Sequence, residues 1–463
     1  MKRVISVLLV ATLLVTMCLG TLTGCKKKKA VKDQVATELT SDPITIKFYH
    51  SMGAELQGIL DDAIAEFNEI YPNITIEHTS YGDYDGVRDQ IKTEITVGDQ
   101  PNLAYCYPDH VALYNISGVV RPLDDFIADK KWGFTEEQIK DFIPGFYNEG
   151  KAYEDGKMYT LPLAKSTEVL YYNKTFFEEN KDKGLYVPTT WEEMAEVCEI
   201  IREIDPTCIP LGYDSESNWF ITMCEQYGSD YTSASGDKFL FNNETNRGFV
   251  EMFRQWYEKK WVTTEKLSGG YTSSLFTGES SSGTRCYMCI GSTGGATYQQ
   301  PNQVNGKFEF EVGIESIPQI DPSNPKVISQ GPSVCVFRNE DQQKVLASWL
   351  FAKFLSTNVD FQCRVSMNNG YIPVTYSAAK ADAYVDFLGD ASTANIQGYA
   401  VQVALEQAEA YYVSPAFYGS SVARDQVGLL MQKCLLFSGS DVSSKIKKAF
   451  EDAIKECKYQ SEF

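Results

Sequence analysis

The sequence predicts an α/β protein with two lobes, on two observations. The first is a strand, a helix and a second strand in succession over residues 44–76, the order that builds a largely parallel sheet with helices on its faces. The second is length. Once an export leader and a tether are set aside, about 420 residues remain, which is more than one hydrophobic core usually serves.

The first strand is predicted over residues 44–48, where apolar and polar side chains alternate. A helix follows, because apolar residues recur at helical spacing from Leu56 onwards until Pro72 ends the pattern. A second strand is predicted at residues 74–76. Residues 101–107 predict a further strand that leads into a helical segment.

Two places predict that the chain passes between the lobes. The apolar pattern over residues 158–163 breaks at Pro162 and resumes at Val169, so one strand leaves the first lobe and another enters the second. Residues 322–326, just before the apolar run 334–337, are expected to make the second crossing. The predicted organisation is a leader at residues 1–24, a tether at 25–42, a first lobe of residues 43–164 plus about 328–375, and a second lobe of residues 165–327 plus about 376–463.

The later elements follow from capping and periodicity. Thr190 and Glu193 have the spacing of a capping box, which begins a helix that runs through Ile201. Apolar periodicity predicts further helices at residues 247–259, 342–355, 400–412 and 442–458. Glycine and serine predict loops at residues 269–270, 280–283 and 291–295.

The first thirty residues predict export and attachment to a lipid. Lys2 and Arg3 precede an apolar run at residues 4–19, and residues 22–25 then place a cysteine directly after two small residues. The mature protein is therefore expected to begin at a diacylglycerol-modified Cys25, on the extracellular face of the cell membrane. The apolar run is shorter than the ~20 residues of a spanning helix. An ordinary signal peptide or a single membrane helix stays the alternative.

The charge of the chain excludes two classes of partner. There are 42 basic and 62 acidic residues, a formal charge of -20, and the leader contains only two of the basic residues and no acid, so the mature chain has 40 against 62, or -22. Such a surface repels nucleic acid and anionic lipid headgroups. An anionic ligand needs a local positive site that overcomes this field.

The cysteines predict buried thiols and no metal centre. Twelve are present, of which Cys18 and Cys25 belong to the leader region, and the other ten show no disulfide framework. Cys286 and Cys289 have C-x-x-C spacing, but no second pair lies nearby and only three histidines are present. A buried strand is expected there, with neither metal nor cofactor.

Five short segments occur in the order found in family 1 extracellular solute-binding proteins of ABC importers. They are residues 46–56 (IKFYHSMGAEL), 169–174 (VLYYNK), 188–191 (PTTW), 276–278 (FTG) and 370–374 (GYIPV). Together they span nearly the whole mature chain, and the sequence resembles this family. Within it the chain is most similar to the glycerol-3-phosphate-binding proteins, through the His-Ser-Met-Gly-x-Glu-Leu opening and residues 417–424.

The resemblance implies a fold, a role and partners. The fold is two α/β lobes of the periplasmic-binding-protein type, each built from discontinuous segments and joined by a hinge, which close around a small polar ligand. The role is binding and not catalysis. The partners are an ABC permease in the membrane and a cytoplasmic ATPase, which agrees with the lack of a phosphate-binding G-x-x-x-x-G-K-[ST] motif in this chain. A monomer is expected.

The resemblance also implies ligand-binding residues at Tyr84, Asp109, Ser166, Thr167, Trp219, Ser292, Gly331, Tyr371 and Arg424. The acid and the hydroxyls suit the hydroxyl groups of a polyol, the aromatic rings suit its C–H face, and Arg424 suits a phosphate, helped by backbone N–H groups of residues 292–295. In two places the chain departs from the glycerol-phosphate binders. Asp109 replaces a longer glutamate, and Lys165 replaces a small polar residue. Both departures predict a different or larger ligand.

Glycerol-3-phosphate or a glycerophosphodiester is the expected ligand, and two other interpretations stay open. The same aromatic and acidic residues serve an uncharged mono- or oligosaccharide, with Arg424 as the discriminating residue. A secreted glycoside hydrolase requires two carboxylates about 5–9.5 Å apart; Asp83, Asp109 and Glu168 are candidates, although no enzyme motif frames them. Trp219 also fits a purely structural role in the core, and Arg424 a surface ion pair.

Overall fold

The computed structural model describes residues 33–461. Residues from Val35 onwards form one compact unit. The predicted leader and the lipid-attachment site at Cys25 lie outside the described residues. Within them, no helix combines the length and the apolar character needed to cross a membrane.

The strands of the described chain are β1 (Ile44–His50), β2 (Ile74–Ser80), β3 (Leu103–Cys106), β4 (Thr160–Pro162), β5 (Ser166–Asn173), β6 (Leu211–Tyr213), β7 (Val262–Thr264), β8 (Met288–Ser292), β9 (Gln303–Val304), β10 (Lys307–Phe308), β11 (Val312–Glu315), β12 (Val327–Gln330), β13 (Ser333–Val336) and β14 (Tyr411–Tyr412).

The helices are α1 (Ala54–Ile70), α2 (Tyr84–Val97), α3 (Pro108–Tyr114), α4 (Asp124–Ile127), α5 (Glu136–Asp141), α6 (Pro144–Glu149), α7 (Lys174–Glu179), α8 (Trp191–Ile204), α9 (Glu216–Gln226), α10 (Glu244–Glu258), α11 (Glu265–Ser268), α12 (Ser273–Thr277), α13 (Gln342–Thr357), α14 (Val359–Asn369), α15 (Tyr376–Ala379), α16 (Asp382–Gly389), α17 (Ile396–Glu406), α18 (Ser420–Leu435) and α19 (Val442–Gln460). Short 3₁₀ turns include Thr293–Gln299.

The first lobe is built on a five-stranded sheet in the order β2-β1-β3-β13-β4. Strand β1 pairs in parallel with β2, with Ile44 opposite Ile74, and also with β3. The predicted strand–helix–strand unit is therefore confirmed. Strand β13 reaches this sheet from late in the chain and runs antiparallel to β3 and β4. The sheet is thus mixed, and the lobe is formed from separate segments.

The second lobe is built on a mixed sheet in the order β14-β12-β5-β8-β6-β7, with β11 also paired to β5. Helices α8, α9, α10, α18 and α19 contribute to one aromatic core with this sheet, and Trp191, Trp219 and Phe253 lie inside it. A separate core under the first sheet contains Phe67 and Trp349. Burying a large apolar side chain stabilises the folded state by about 1.5–3 kcal/mol. Each sheet is therefore stabilised by a hydrophobic core of its own.

Local signals place several elements correctly. The capping box of Thr190 and Glu193 is present at the start of α8. The helix predicted at 400–412 instead ends at Glu406, because residues 411–412 form β14 beside β12. Helix α18 was not predicted. Its buried residues include serine, alanine and cysteine as well as larger side chains, which gives a weak apolar pattern.

The chain passes between the sheets three times, and the first two of these crossings follow neighbouring paths, before residues beyond β13 return to the second sheet at β14. The first crossing runs from β4 to β5, where Pro162 breaks the pattern. The second lies at Gly331 and Pro332, between β12 and β13, and not at residues 322–326. Strand β12 still pairs with β5 in the second sheet, with Gln330 opposite Ser166, so residues 322–326 come too early to cross.

The end of the predicted tether is docked on the first lobe. The Trp132 indole donates to the carbonyl oxygen of Ala36 over 2.8 Å. Farther along, the Thr40 amide donates to the Gln343 side chain over 2.8 Å, and Asn73 donates to the Thr40 carbonyl oxygen over 2.8 Å. The prediction of a tether to residue 42 is therefore wrong for its last part, because these residues form fixed hydrogen bonds with the lobe.

Gly331 allows the two crossings to lie side by side. Its φ is +90°, and a Cβ atom there would lie 2.3 Å from the Ala164 carbonyl oxygen and 2.9 Å from the Ser166 nitrogen. A side chain therefore meets both backbone strain and a clash with the neighbouring crossing.

We expect Gly331→Ala to lower the free energy of unfolding by about 3 kcal/mol, which combines a positive-φ penalty with the clash. Gly236→Ala is the control, since Gly236 also has a positive φ of 70° but open space around it; it should cost only about 1 kcal/mol. Urea unfolding measures both values. Equal losses in the two variants would contradict the role given to the close approach.

Candidate functional site

Three tyrosines of the first lobe form a cluster at the interface with the second. Tyr84 begins α2, whose N-terminus is capped by Asp83, which accepts from the Gly86 amide over 2.7 Å. The Tyr84 ring lies 4.7 Å from that of Tyr107, and its hydroxyl lies 3.0 Å from that of Tyr371. Burial raises the pKa of both Tyr84 and Tyr371, so the two hydroxyls are neutral and can donate as well as accept.

Tyr371 also brings the two lobes into contact. It follows Gly370, which ends α14 in a left-handed conformation at φ +89°. A Cβ atom on Gly294 of the second lobe would lie 2.8 Å from Cε1 of the Tyr371 ring. The absence of a side chain at Gly294 therefore lets the ring pack directly on backbone of the opposite lobe.

Ser292 stands at the end of β8 and caps the 3₁₀ turn that follows it. Its hydroxyl oxygen accepts from the Gly294 amide over 3.2 Å. The prediction that backbone N–H groups of residues 292–295 bind an anion is wrong for Gly294, because its N–H already donates to Ser292. The Ser292 hydroxyl proton has no acceptor in the described part of the chain and can be donated to a ligand.

Ser166 and Thr167 follow the first crossing, and both are buried. The Thr167 hydroxyl donates to the Ile328 carbonyl oxygen over 2.8 Å, and its amide donates to the Thr293 hydroxyl over 3.4 Å. The Thr167 side chain thus helps hold β12 beside β5. Ser166 lies opposite Gln330 in the same pair of strands.

Arg424 lies in the first turns of α18 and is partly buried. Its Nη1 donates to Oδ1 of Asn218 over 2.5 Å. Among the described residues, no carboxylate lies within ion-pair distance of this guanidinium. Burial lowers the pKa of Arg424, but the more distant Asp109 carboxylate and nearby tyrosine hydroxyls outweigh this and raise it. The guanidinium is therefore always charged, with one neutral acceptor.

The buried residue Glu168 is connected to Arg424 through Asn218. The Asn218 amide nitrogen donates to Oε1 of Glu168 over 3.0 Å and to Oε1 of Gln330 over 2.8 Å. The Tyr213 hydroxyl donates to the other Glu168 oxygen over 2.6 Å. Burial raises the pKa of Glu168 to about 7, although these hydrogen bonds and the charge of Arg424 lower it. No motif in the sequence marks Asn218, Gln330 or Tyr213 as part of the site.

An ion pair joins the lobes beside the tyrosine cluster. Nη1 of Arg88 on α2 lies 3.8 Å from Oδ2 of Asp425 on α18, and 2.9 Å from Asp85. Burial raises the pKa of Asp425 to about 6, and the charge of Arg88 lowers it in part. The residue directly after Arg424 thus contacts the opposite lobe.

Trp219 lies in the core and not at the ligand site. Its side chain is fully buried, with ring centroids 5.0 Å from Tyr213, 4.1 Å from Phe253 and 6.3 Å from Trp191. The predicted stacking role is corrected, because these rings surround it and leave no exposed face for a ligand. The neighbouring residue Asn218, and not Trp219, contacts the site, since it accepts the hydrogen bond from Arg424.

Lys165 also differs from expectation. Its ammonium group is fully buried, forms an ion pair with Glu149 and donates to the Gly331 carbonyl oxygen over 3.1 Å. The Ser333 hydroxyl donates to the same Glu149 carboxylate over 3.1 Å. Lys165 therefore lies in the buried ion pair between the two crossings, and its side chain is not available to a ligand.

The described chain offers neither a metal cluster nor a disulfide. Its ten cysteines are all buried and unpaired, and no group of three or more histidine, cysteine, aspartate or glutamate side chains in this range is arranged to hold a metal ion. Cys289 lies on the buried strand β8, with its sulfur 3.1 Å from the Thr272 hydroxyl oxygen.

Two comparisons of sequence show which known proteins the chain is similar to. The model of the family described as bacterial extracellular solute-binding protein matches residues 62–387. The sn-glycerol-3-phosphate-binding periplasmic protein UgpB of Salmonella typhimurium is 24% identical over 358 residues, which cover 74% of this chain and 77% of that protein.

Solved structures share the two-lobe fold. UgpB from Mycobacterium tuberculosis, in complex with glycerophosphocholine, superposes with a TM-score of 0.71 at 18% identity and covers 91% of this chain and 100% of its own. The maltodextrin-binding domain MalE from Bdellovibrio bacteriovorus, bound to maltotriose, gives 0.68 at 19% identity, over 90% and 99% of the two chains. At these identities the likeness is one of fold.

The position of Glu168 leads to a prediction about stability. Its folded-state pKa lies above the ordinary 4.5, so the folded protein holds the proton more tightly than the unfolded chain. The resulting stabilisation is present below pH 4.5 and is lost as the pH rises through about 7, by up to about 3 kcal/mol. Urea unfolding between pH 4.5 and 8 should show this decline.

Glu168→Gln should remove that part of the pH dependence, whereas Glu69→Gln, at an exposed glutamate of α1, should leave it in place. If the wild-type and Glu168→Gln curves stay parallel across this range, Glu168 is not the group responsible.

Proposed function

Since the chain belongs to the family of bacterial extracellular solute-binding proteins, we propose that it captures glycerol-3-phosphate or a glycerophosphodiester and delivers it to the permease of an ABC importer. Members of this family bind solutes and are not enzymes, which removes the glycoside hydrolase alternative. In keeping with this, Asp83 is an exposed helix cap and Glu168 is buried behind Asn218.

The observation that carries the proposal is the state of Arg424. A guanidinium has five N–H donors, and in the described chain only one of them has an acceptor, the neutral Asn218 amide. A charged group at a lobe interface without a partner carboxylate suits an anion supplied from outside. Phosphate oxygens accept from the planar fork of arginine two at a time, which makes a phosphate the fitting ligand.

The surrounding groups support a polyol phosphate. Tyr84 and Tyr371 offer aromatic faces and neutral hydroxyls, Asp109 lies on the first turn of α3, and Ser292 has a hydroxyl proton to donate. We therefore propose as ligand contacts Tyr84, Asp109, Ser166, Thr167, Ser292, Gly331, Tyr371 and Arg424. The lobes close on the solute because it binds the closed state more tightly than the open one.

An uncharged mono- or oligosaccharide is the second candidate. The clustered tyrosine rings and Asp109 suit a sugar equally well, and MalE, with its maltotriose, shares the fold. The two ligands differ in what they require of Arg424: a phosphate uses its charge, whereas a sugar uses a hydrogen bond at most.

Arg424→Ala should weaken the binding of glycerol-3-phosphate or glycerophosphocholine roughly a hundredfold or more, because each charge-assisted hydrogen bond contributes about 1.5–3 kcal/mol. The residual binding should be nearly independent of salt. Arg364→Ala is the control. This substitution removes the same charge at a distant surface position, where Arg364 pairs with Asp62. Calorimetry and tryptophan fluorescence measure the change.

A protein that binds a sugar panel but neither phosphate ligand, with at most a modest loss in Arg424→Ala, would instead establish the saccharide candidate. A failure to bind any of these solutes would refute both.

We also propose that the protein is held on the extracellular side of the membrane by a lipid on Cys25 and acts there as a monomer. The small residues Thr23 and Gly24 before Cys25 support the lipid, and the family supports an extracellular location.

Cys25→Ala should abolish acylation and prevent the protein from partitioning into detergent, while Cys18→Ala, within the leader, should leave both unchanged. Mass spectrometry of the N-terminal peptide provides the measurement. An unmodified Cys25 in the native protein would disprove the anchor.

A further inference from the structure

We propose that Glu168 controls, through Asn218, the positive potential that Arg424 presents to an anionic ligand, so that capture of the anion is accompanied by uptake of a proton at Glu168. This inference rests on the proposed function, because it requires an anion at Arg424. It adds a role for residues that the resemblance did not assign to the site.

The bridge between the two charged groups has one possible orientation. Both N–H groups of the Asn218 amide are used, one on Glu168 at 3.0 Å and one on Gln330 at 2.8 Å. Its oxygen accepts from Arg424 at 2.5 Å. A flipped amide would place its N–H groups against the guanidinium and its oxygen against the carboxylate, which is unfavourable at both ends. Asn218 therefore links Glu168 to Arg424 in a fixed geometry.

Glu168 is placed to change its protonation state. It is 2% exposed, and no cation lies within ion-pair distance of it among the described residues. Four charged or titratable groups face it. Tyr213 lies on β6 and Asp214 directly follows that strand, while Arg424 lies on α18 and Tyr412 on β14. Burial raises its pKa to about 7, so both forms are populated at neutral pH.

The sign of the coupling follows from charge. An ionised Glu168 offsets part of the positive potential at Arg424, and an anion bound there repels it in turn. At a separation of about 10 Å and a typical protein dielectric, this repulsion shifts the protonation equilibrium of Glu168 roughly tenfold. The anion therefore binds more tightly when Glu168 is protonated, and by linkage its binding favours the protonated form.

The test uses sn-glycero-3-phosphocholine, a diester whose own phosphate does not titrate near neutral pH. Calorimetry of the full-length protein at pH 7, in two buffers with different ionisation enthalpies, gives the number of protons exchanged. We expect uptake of about 0.4 proton per ligand, and a Kd roughly five- to tenfold weaker at pH 8.5 than at pH 5.5.

Glu168→Gln should abolish the uptake and flatten the pH profile while retaining tight binding. Glu225→Gln is the matched control, because burial also raises the pKa of Glu225 in the same lobe but it lies outside this network. The variant also separates Glu168 from Asp425, whose pKa of about 6 falls in the same range. Undiminished uptake in Glu168→Gln would overturn the proposal.

The wild-type measurement decides the matter even if the variant does not fold. Binding of the diester without proton uptake overturns the coupling and leaves the proposed function intact. Absence of diester binding overturns the coupling for this ligand, and the proposed function falls with it only if glycerol-3-phosphate also fails to bind.

Discussion

The buried ion pair between Lys165 and Glu149 holds together the segments of chain that connect the two lobes. Both side chains are almost completely inaccessible to water, and the ammonium group also binds the Gly331 carbonyl oxygen. The pair thus joins a helix of the first lobe to the crossing from β4 to β5 and the crossing from β12 to β13. Removing one partner of such a pair costs about 3–5 kcal/mol, because the other charge stays buried without compensation.

The polar site is built outwards from these crossings. Ser166 and Gln330 pair just beyond them, and Glu168 follows two residues later on the same strand. Asn218 then connects both Glu168 and Gln330 to Arg424. On the far side, the pair between Arg88 and Asp425 spans the interface. The site therefore lies between the buried crossings and a partly exposed ion pair, which contributes only about 0–1 kcal/mol.

Much of the fold could be predicted from the sequence because the relevant signals are local. The alternation in β1, the periodicity of α1 and the capping box of α8 act within a few residues of one another. The second crossing was misplaced because only the pairing of β12 with β5 shows which sheet it joins. Helix α18 was missed because its buried face contains small side chains.

The site could be predicted less completely, for a related reason. Arg424 could be named from the resemblance, but its partner Asn218 lies more than 200 residues away in sequence. Trp219 has a predicted ligand role that depends on exposure, and Lys165 is read as a sign of a different or larger ligand, but long-range packing buries both. One signal was available: Glu168 is an acid directly before the apolar run Val169–Tyr172, where a carboxylate needs partners.

The ten buried thiols link the chemistry of this protein to its folding. Burial raises the pKa of Cys198, Cys286 and Cys457, which suppresses the thiolate that reacts with oxidants. Global unfolding exposes all ten at once, with ordinary pKa values and many wrong pairings open to them. In an oxidising medium, oxidation of the exposed thiols thus makes unfolding irreversible. The lifetime of the protein there is set by its rate of unfolding.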